Sequence, residues 1–287
     1  MRLADFLNQV YVPSRLELSV GAIRQMAVSV RVWSHFLGRQ AILDDLTEDA
    51  LRRFLTVYRQ DHAAATTNSK RCQLLALWQC AWEEGRHPQP PRRSKIRKAK
   101  AQPRIPEAWS PEEVGRILMV TRQTTGKIAD LPASAWWTSL LLTFYDTGER
   151  RSAVLASAPA NISLSEGWIV FVRTKTGIPR WCALHDDTIH ACREIWDDAR
   201  QRFWPWPYSR EWLDDSFRKI LKRASVRHGP EHGGLFQFLR RTSGTLVEAN
   251  GGDGAKHIGN TRAVFERHYR DPRFFASQLD RLPRPTF

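Results

Sequence analysis

The sequence predicts a mainly α-helical chain with a small antiparallel β-sheet, divided into two domains by a basic segment. Three observations support this fold class. Apolar residues recur at a period of 3.6 over most of the chain, and short alternating strand patterns occur only between residues 162 and 184. Residues 86–106 carry eight basic and no acidic side chains. A chain of 287 residues is long enough for two modest domains, each with its own core.

Residues 1–86 are predicted to form a bundle of about four helices. Apolar positions at helical spacing mark one helix near Ala22–Leu37. A second run, Leu46–Tyr58, begins after a cap at Thr47 or Asp45. A third extends from about Asn68 to Trp82.

Residues 87–107 form the predicted linker, because several prolines there disfavour a regular helix. More than half of the net charge of +14 lies in residues 86–106, which favours a polyanionic partner. We predict that this segment binds the phosphate backbone of double-stranded DNA, and a merely solvated basic linker is the alternative. The predicted DNA-binding residues are Arg92, Arg93, Lys95, Arg97, Lys98, Lys100 and Arg104.

Residues 108–287 are predicted to form a second, mainly helical domain. Ser110-Pro111-Glu112-Glu113 has the pattern of a capping box with proline at the first helical position. Further helices are expected near Ser134–Tyr145, Asp187–Phe203, Trp212–Ala224 and Phe238–Glu248. Strands are expected at Ile162–Leu164, Trp168–Val172 and Arg180–Leu184. Most of the 12 tryptophans lie on apolar faces and are predicted to be core residues.

Several classes of protein and site are excluded. The four cysteines, Cys72, Cys80, Cys182 and Cys192, form no Cys-x-x-Cys pair, so we expect reduced cytosolic thiols and no metal centre. There is no secretion signal and no apolar run of 18 residues, so we predict no membrane span and a cytoplasmic location.

Five separated sequence features carry the chemistry. Thr147-Gly148-Glu149-Arg150 follows a hydrophobic helix, and Lys175 lies at the tip of the predicted hairpin. Gln237-Phe238-Leu239-Arg240 begins a later helix. Ile258-Gly259-Asn260 comes next, and Tyr269 follows Asn260 by nine residues.

In order and spacing these segments resemble the tyrosine recombinases, the phage integrase family. Their pattern is Thr-Gly-x-Arg, a hairpin lysine, His-x-x-Arg, Leu-Gly-His and a tyrosine nine residues later. The resemblance covers residues 110–270, the catalytic domain of the family. The helical N-terminal part and the basic linker are similar to the family's core-binding (SAM-like) domain and its connection.

The resemblance implies a DNA strand breakage and rejoining enzyme that needs neither metal nor other cofactor. Tyr269 would attack the phosphorus and form a 3′-phosphotyrosyl intermediate, while Arg150 and Arg240 would stabilise the phosphoryl oxygens. Lys175 would protonate the departing 5′ oxygen. The family also implies a homo-tetramer on paired DNA sites, a Holliday junction and a nucleoid-associated location.

Three positions depart from the family pattern. Gln237 replaces the histidine of His-x-x-Arg, and Asn260 replaces that of Leu-Gly-His; both amides can donate hydrogen bonds but cannot titrate. Ala153 stands where the family often has an acid that holds the first arginine, so we expect Arg150 to be less firmly oriented. His257 and His268 could substitute for the lost histidines, although solvent exposure is the simpler expectation for each.

Three functions therefore remain open on the sequence: an active site-specific recombinase, a catalytically weakened or inactive DNA-binding relative, and a relaxing enzyme of the type IB topoisomerase kind. The tail leaves a further choice open. Phe275, Leu279 and Leu282 share one apolar face, which would dock either on a neighbouring protomer or back on its own domain.

Overall fold

A computed structural model describes residues 1–102, 104–172, 179–229 and 234–278. The chain divides into two compact units, Met1–Pro103 and Arg104–Phe287, and the division falls inside the segment predicted as a linker. Helices dominate both units, and the strands found in the described ranges form small antiparallel sheets in the second unit. The predicted fold class is therefore confirmed.

The first unit is built on three long helices. A short helix α1 (Leu3–Phe6) continues into a π-helical turn, and α2 (Val20–Phe36), α3 (Glu48–Asp61) and α4 (Ala64–Glu83) follow. Thr47, rather than Asp45, caps α3, because its side chain accepts a hydrogen bond from the Ala50 nitrogen. Helix α4 begins four residues earlier than predicted, since its first turn is alanine- and threonine-rich and has no apolar periodicity to mark it.

The basic segment after α4 packs on this first unit instead of running free. Ile96 is fully buried in the core of the unit. Arg71 of α4 donates hydrogen bonds to the carbonyls of Ile96 (2.5 Å) and Arg93 (3.0 Å). Asn68 exchanges two hydrogen bonds with the backbone of Ala99. The prolines prevent a helix, so side chains of α4 satisfy backbone groups that a helix would have paired internally.

The second unit begins with α5 (Pro111–Arg122), and Ser110 and Glu113 form the capping box that was predicted. Its further long helices are α6 (Ala133–Thr147), α9 (Arg210–Arg223) and α10 (Phe236–Ala249), with α7 (Arg151–Val154), α8 (Asp186–Arg193), α11 (Gly254–Ile258) and α12 (Arg262–His268) as shorter ones. The strands are β1 (Lys127–Ile128), β2 (Leu131–Pro132), β3 (Ile162–Ser163), β4 (Trp168–Val172) and β5 (Pro179–Ala183).

Strands β3, β4 and β5 form one antiparallel sheet in that order, close to the predicted positions. Val170 lies opposite Trp181, and Val172 lies opposite Pro179. The predicted turn that joins β4 to β5 lies outside the described residues. A second, two-stranded ribbon, β1–β2, was not predicted, because strands of two residues are too short to show an alternating pattern.

The helix predicted over Asp187–Phe203 is wrong in its second half, since α8 ends at Arg193. Beyond it, local bonds compete with the helical ladder. The Asp197 carboxylate accepts a hydrogen bond from the Ala199 nitrogen, and Arg200 donates to the Ile195 carbonyl.

Gly148 connects the central buried helix α6 to the site described below. It has φ of +55°, and a Cβ at this position would lie 2.9 Å from a side-chain carbon of Ile258 and 3.0 Å from the Ser243 hydroxyl. Only glycine tolerates both the left-handed backbone and this close approach of α10 and α11. The chain therefore turns sharply at the end of α6. The next two residues, Glu149 and Arg150, lie near Arg240 and Gln237 of α10.

The tail of the second unit folds back on its own chain as far as the structure describes it. Phe275 is buried, and the guanidinium of Arg270 lies 3.6 Å from the centre of its ring. Leu279 and Leu282, the rest of the predicted apolar face, lie outside the described residues. Among the helices that are described, none is long and apolar enough to cross a membrane.

The packing of the basic segment makes a test of stability possible. Ile96→Ala should lower the free energy of unfolding of the first unit by about 2–5 kcal/mol, because it leaves a cavity in that core. Leu16→Ala, at a fully exposed position of the same unit, is the matched control and should change it by less than about 0.5 kcal/mol. Denaturant unfolding followed by circular dichroism measures both, and equal effects would contradict the packing described.

Candidate active site

Gln237, Arg240 and Tyr269 meet at the start of α10. Gln237 and Arg240 are three residues apart, so they lie on one face of the helix. The Gln237 amide donates a hydrogen bond of 2.9 Å to the Tyr269 hydroxyl, and the guanidinium carbon of Arg240 lies 5.4 Å from the centre of the tyrosine ring. Tyr269 directly follows α12, and its carbonyl accepts a hydrogen bond from Thr245 of α10.

Arg240 is buried, with 1% of its side chain exposed. Its terminal nitrogens donate to the carbonyls of Gly148 (2.5 Å) and Ile258 (2.7 Å). Its Nε has no hydrogen-bond partner within the part of the chain that the structure describes. Burial lowers the pKa of Arg240, and the carboxylate of Glu149 opposes that change; an arginine nevertheless stays charged. The site therefore holds a fixed cation with one donor still unused.

Glu149 is the acidic counterpart of this cation. Its buried carboxylate accepts a hydrogen bond of 2.8 Å from the Arg150 nitrogen and one of 2.7 Å from Arg180. It also lies 3.5 Å from a terminal nitrogen of Arg240 and 3.6 Å from one of Arg150. Burial by itself raises the pKa of Glu149, but these hydrogen bonds and the charges of Arg240 and Arg180 outweigh it and hold the pKa below its usual range. Glu149 is therefore an ionised group shared by three arginines.

The site residues that the sequence did not single out are Glu149 and Arg180. Arg180 of β5 also donates to the carbonyls of Thr147 and His257, which ties the sheet to the ends of α6 and α11. Glu149 occupies the unspecified position of Thr-Gly-x-Arg, and its only signal was a charge placed directly after a buried helix. Arg180 had no signal, because an arginine in a short strand is usually a surface residue.

Arg150 lies beside this cluster with 51% of its side chain exposed. The sequence predicted a less firmly oriented arginine because Ala153 replaces an acid. In the structure the acid that contacts the guanidinium of Arg150 is Glu149, which precedes Arg150 in the chain, whereas the family's acid follows this arginine. Arg150 is thus directed by an ion pair while its charge remains accessible to an anion from solvent.

The hydroxyl of Tyr269 is made more acidic by its neighbours. Burial raises the pKa of Tyr269, but the charge of Arg240 and the hydrogen bond from Gln237 outweigh burial and lower it. Asn260 lies close enough to act in the same direction. Its buried Nδ2 has no hydrogen-bond partner in the described ranges, so it is a second unused donor beside the tyrosine.

Neither histidine takes the place of the two that are missing. His257 is half-buried, not solvent-exposed as the sequence suggested, and its Nε2 is 2.7 Å from the Ser243 hydroxyl. Burial, with the charges of Arg180 and Arg240, lowers the pKa of His257 to about 4, so it is neutral near pH 7. His268 is exposed to solvent.

Lys175, the predicted general acid, lies outside the described residues. Within the ranges that are described, no group of three or more His, Cys, Asp or Glu side chains is arranged to hold a metal ion. The described residues of the site place a phenol beside hydrogen-bond donors and cations.

The predicted DNA-binding residues occupy different environments. Arg92 forms a two-point ion pair with Glu48, with nitrogen–oxygen distances of 2.5 and 3.1 Å. Its charge is therefore engaged within the protein. Lys95, Arg97 and Lys98 line a groove of about 610 Å³ on the first unit, together with Arg52 and Arg59 of α3.

The other three predicted residues, Arg93, Lys100 and Arg104, are exposed. The first two belong to the first unit and Arg104 to the second. The clearest basic surface of the first unit is the Lys95–Lys98 groove, to which α3 contributes two arginines that the sequence analysis missed.

Comparisons by sequence return nothing: no protein-family model matches the chain, and no curated protein matches it significantly. Comparisons by structure return several matches. A lambda integrase dimer bound to a COC′ core site is similar over 99% of this chain and 99% of that one, with a TM-score of 0.74 and 17% identity. A lambda integrase tetramer bound to a Holliday junction matches over 99% and 80%, with a TM-score of 0.72 and 18% identity.

The XerH site-specific recombinase bound to a palindromic difH substrate matches over 96% of this chain and 82% of that one, with a TM-score of 0.71 and 17% identity. Both units are covered by these matches. At such low identity they establish the architecture alone, and the chain has the fold of the tyrosine recombinases.

Proposed function

We propose that this protein is a site-specific DNA recombinase that cuts and rejoins DNA through a 3′-phosphotyrosyl intermediate. One observation carries the proposal most: the Tyr269 hydroxyl accepts a hydrogen bond from Gln237, and the Tyr269 ring lies against the buried cation Arg240. A phenol with a lowered pKa beside unused donors is equipped to attack a phosphodiester. A tyrosine with a purely structural role needs neither a lowered pKa nor unused donors around it.

In the proposed cleavage step the Tyr269 oxygen forms a bond to phosphorus, and the bond from phosphorus to the 5′ oxygen breaks. The phenol loses its proton, and the 5′ oxygen gains one. Negative charge spreads over the phosphoryl oxygens, where the free Nε of Arg240, the accessible guanidinium of Arg150 and the Nδ2 of Asn260 would donate hydrogen bonds. Religation reverses the step with a 5′ hydroxyl as the nucleophile.

Gln237 has a defined part in this reaction. Its amide donates to the Tyr269 oxygen and so stabilises the phenolate, but it cannot accept the proton. In this proposal water removes the proton, and the rate rises with pH as Tyr269 ionises. Lys175 remains the proposed general acid for the 5′ oxygen, on the resemblance alone.

Double-stranded DNA is the proposed partner. The solved proteins of similar fold are bound to DNA, one of them as a tetramer on a Holliday junction, and we extend a homo-tetramer on paired sites to this chain. The basic groove of the first unit would contact phosphates, so binding should weaken steeply with salt. A cytoplasmic, nucleoid-associated location stays a prediction.

One observation favours a second candidate, a DNA-binding relative with little or no activity. The Tyr269 hydroxyl is hydrogen-bonded to Gln237, which takes the place of the family histidine and cannot accept a proton, while the Nε2 of His257 is hydrogen-bonded to Ser243. General base catalysis is worth about 10²–10⁴ in rate, so its absence would slow cleavage by that amount. A relaxing enzyme of the type IB topoisomerase kind shares the chemistry and differs in acting as a monomer.

Covalent capture tests the proposed function. A nicked suicide substrate from DNA flanking the native gene should give a protein–DNA adduct on a denaturing gel, and Tyr269→Phe should abolish it. Salt-sensitive binding of the same DNA without any adduct would establish the inactive binder instead. Supercoil relaxation by the monomer without a paired site would indicate the topoisomerase.

A pH profile tests the part of Gln237. Removing its hydrogen bond in Gln237→Leu should raise the pKa of Tyr269, shift the rate of adduct formation to higher pH and lower it about 5- to 10-fold near pH 7, the effect of one hydrogen bond of about 1 kcal/mol. Gln237→His should accelerate cleavage, because imidazole accepts a proton. A profile that is identical in all three proteins would show that Gln237 does not act on Tyr269.

The acid shared by three arginines gives a further prediction. Glu149→Gln keeps the size of the side chain but removes the charge, so adduct formation should fall by about 10- to 100-fold, as expected when a buried charge network loses one member. Adding Ala153→Glu in that background should restore part of the rate by returning an acid to the other side of Arg150. Glu194→Gln, at an exposed acid, is the control, and equal rates in it and in Glu149→Gln would contradict the role of Glu149.

A further inference from the structure

A basic groove extends away from the proposed active site in the second unit. Its volume is about 810 Å³, and it begins at Arg150 and Gln237 and reaches the segment 202–210 that precedes α9. Five arginines and two acids line it. Both acids are engaged by arginines, Glu149 by the cluster described above and Asp214 by Arg151. The groove therefore carries excess positive charge and suits a phosphate chain.

Aromatic rings line the far end of the same groove. Trp206 and Tyr208 face it, and Trp212 lies 4.0 Å from Tyr208 between ring centres. Tyr208 is 40% exposed and Trp212 50% exposed, whereas the sequence predicted most tryptophans to be core residues. Large exposed aromatic rings beside arginines are typical of surfaces that stack nucleic-acid bases.

The aromatic end of the groove is held rigidly. Pro205 and Pro207 flank Trp206 and restrict its backbone, and its ring packs 5.2 Å from that of the buried Trp136. The Trp206 indole nitrogen donates to the carbonyl of Ser209, whose hydroxyl caps α9. A surface that is already fixed loses little entropy when a ligand stacks on it.

We propose that this groove binds an unpaired nucleotide next to the scissile phosphate, with its base stacked on Tyr208 and its phosphates near Arg202 and Arg210. The inference rests on the proposed strand-exchange function, which separates base pairs between cleavage and religation. Bases within a duplex are stacked on each other and present only their edges and phosphates. Exposed aromatic rings therefore gain a stacking partner only from a base that has left the duplex.

The test compares two DNAs of the same length that share one strand, which carries 2-aminopurine. In the first DNA the partner strand pairs throughout, and in the second it is mismatched at two nucleotides, so that a bubble contains the 2-aminopurine. Fluorescence anisotropy in the Tyr269→Phe background measures the dissociation constants without cleavage. The protein should bind the bubble about 5- to 100-fold more tightly, the range given by stacking one base on an aromatic ring. Stacking should also quench the 2-aminopurine fluorescence.

Substitutions in the groove test whether its aromatic rings cause the preference for the bubble. Tyr208→Leu combined with Trp212→Leu should abolish the preference and the quenching while leaving affinity for paired DNA unchanged, which also shows that the protein is folded. Tyr208→Phe keeps the ring and should keep both. Trp196→Leu, at an exposed tryptophan outside the groove, is the matched control.

Equal affinity for the two DNAs in the parent protein would overturn the proposal, and so would a preference that survives the double variant. The covalent capture experiment is independent of this result. A covalent adduct without a preference for the bubble would support the proposed recombinase function and contradict the proposed binding of an unpaired nucleotide in the groove. A preference for the bubble without an adduct would support nucleotide binding in the groove of a protein that binds DNA but does not cleave it.

Discussion

The charge balance around Glu149 is the constraint on which the rest of the site depends. A buried guanidinium is costly unless an anion and hydrogen-bond acceptors surround it, and Arg240 is almost fully buried. Glu149 supplies the anion, and the carbonyls of Gly148 and Ile258 supply the acceptors. Because these partners come from the end of α6 and from α11, the arginine fixes where three separate parts of the chain meet.

The backbone makes this arrangement possible. Gly148 turns the chain in a conformation that only glycine adopts without strain, at a point where α10 and α11 leave no room for a side chain. The residue after it is thereby buried among the arginines, and the next one, Arg150, emerges with its charge accessible. The backbone turn at Gly148 therefore buries Glu149 and leaves the guanidinium of Arg150 accessible to an anion. The same turn places both beside Gln237 and within reach of the groove that runs to Tyr208.

Much of this organisation was predictable from the sequence, and what was missed has physical reasons. The capping box at Ser110 and the strand Trp168–Val172 follow local rules, so they were predicted closely. The motif spacing indicated that Arg150, Gln237, Arg240, Asn260 and Tyr269 belong to one site. Arg180 and the burial of Glu149 depend on contacts between residues far apart in sequence, which no periodicity reveals. The burial of Ile96 was missed because the basic and proline-rich composition of its segment predicts an exposed linker. The packing of that segment depends instead on one apolar side chain, which composition does not reveal.

In the proposed function, this cluster of fixed donors and cations makes Tyr269 a nucleophile toward phosphorus. Mass spectrometry of the denatured protein–DNA adduct, after digestion with protease and nuclease, tests it most directly by locating the modified residue. We predict a nucleotide attached through phosphate to the phenolic oxygen of Tyr269 and to no other side chain. A nucleotide on a different tyrosine, or on a serine or histidine, would contradict it.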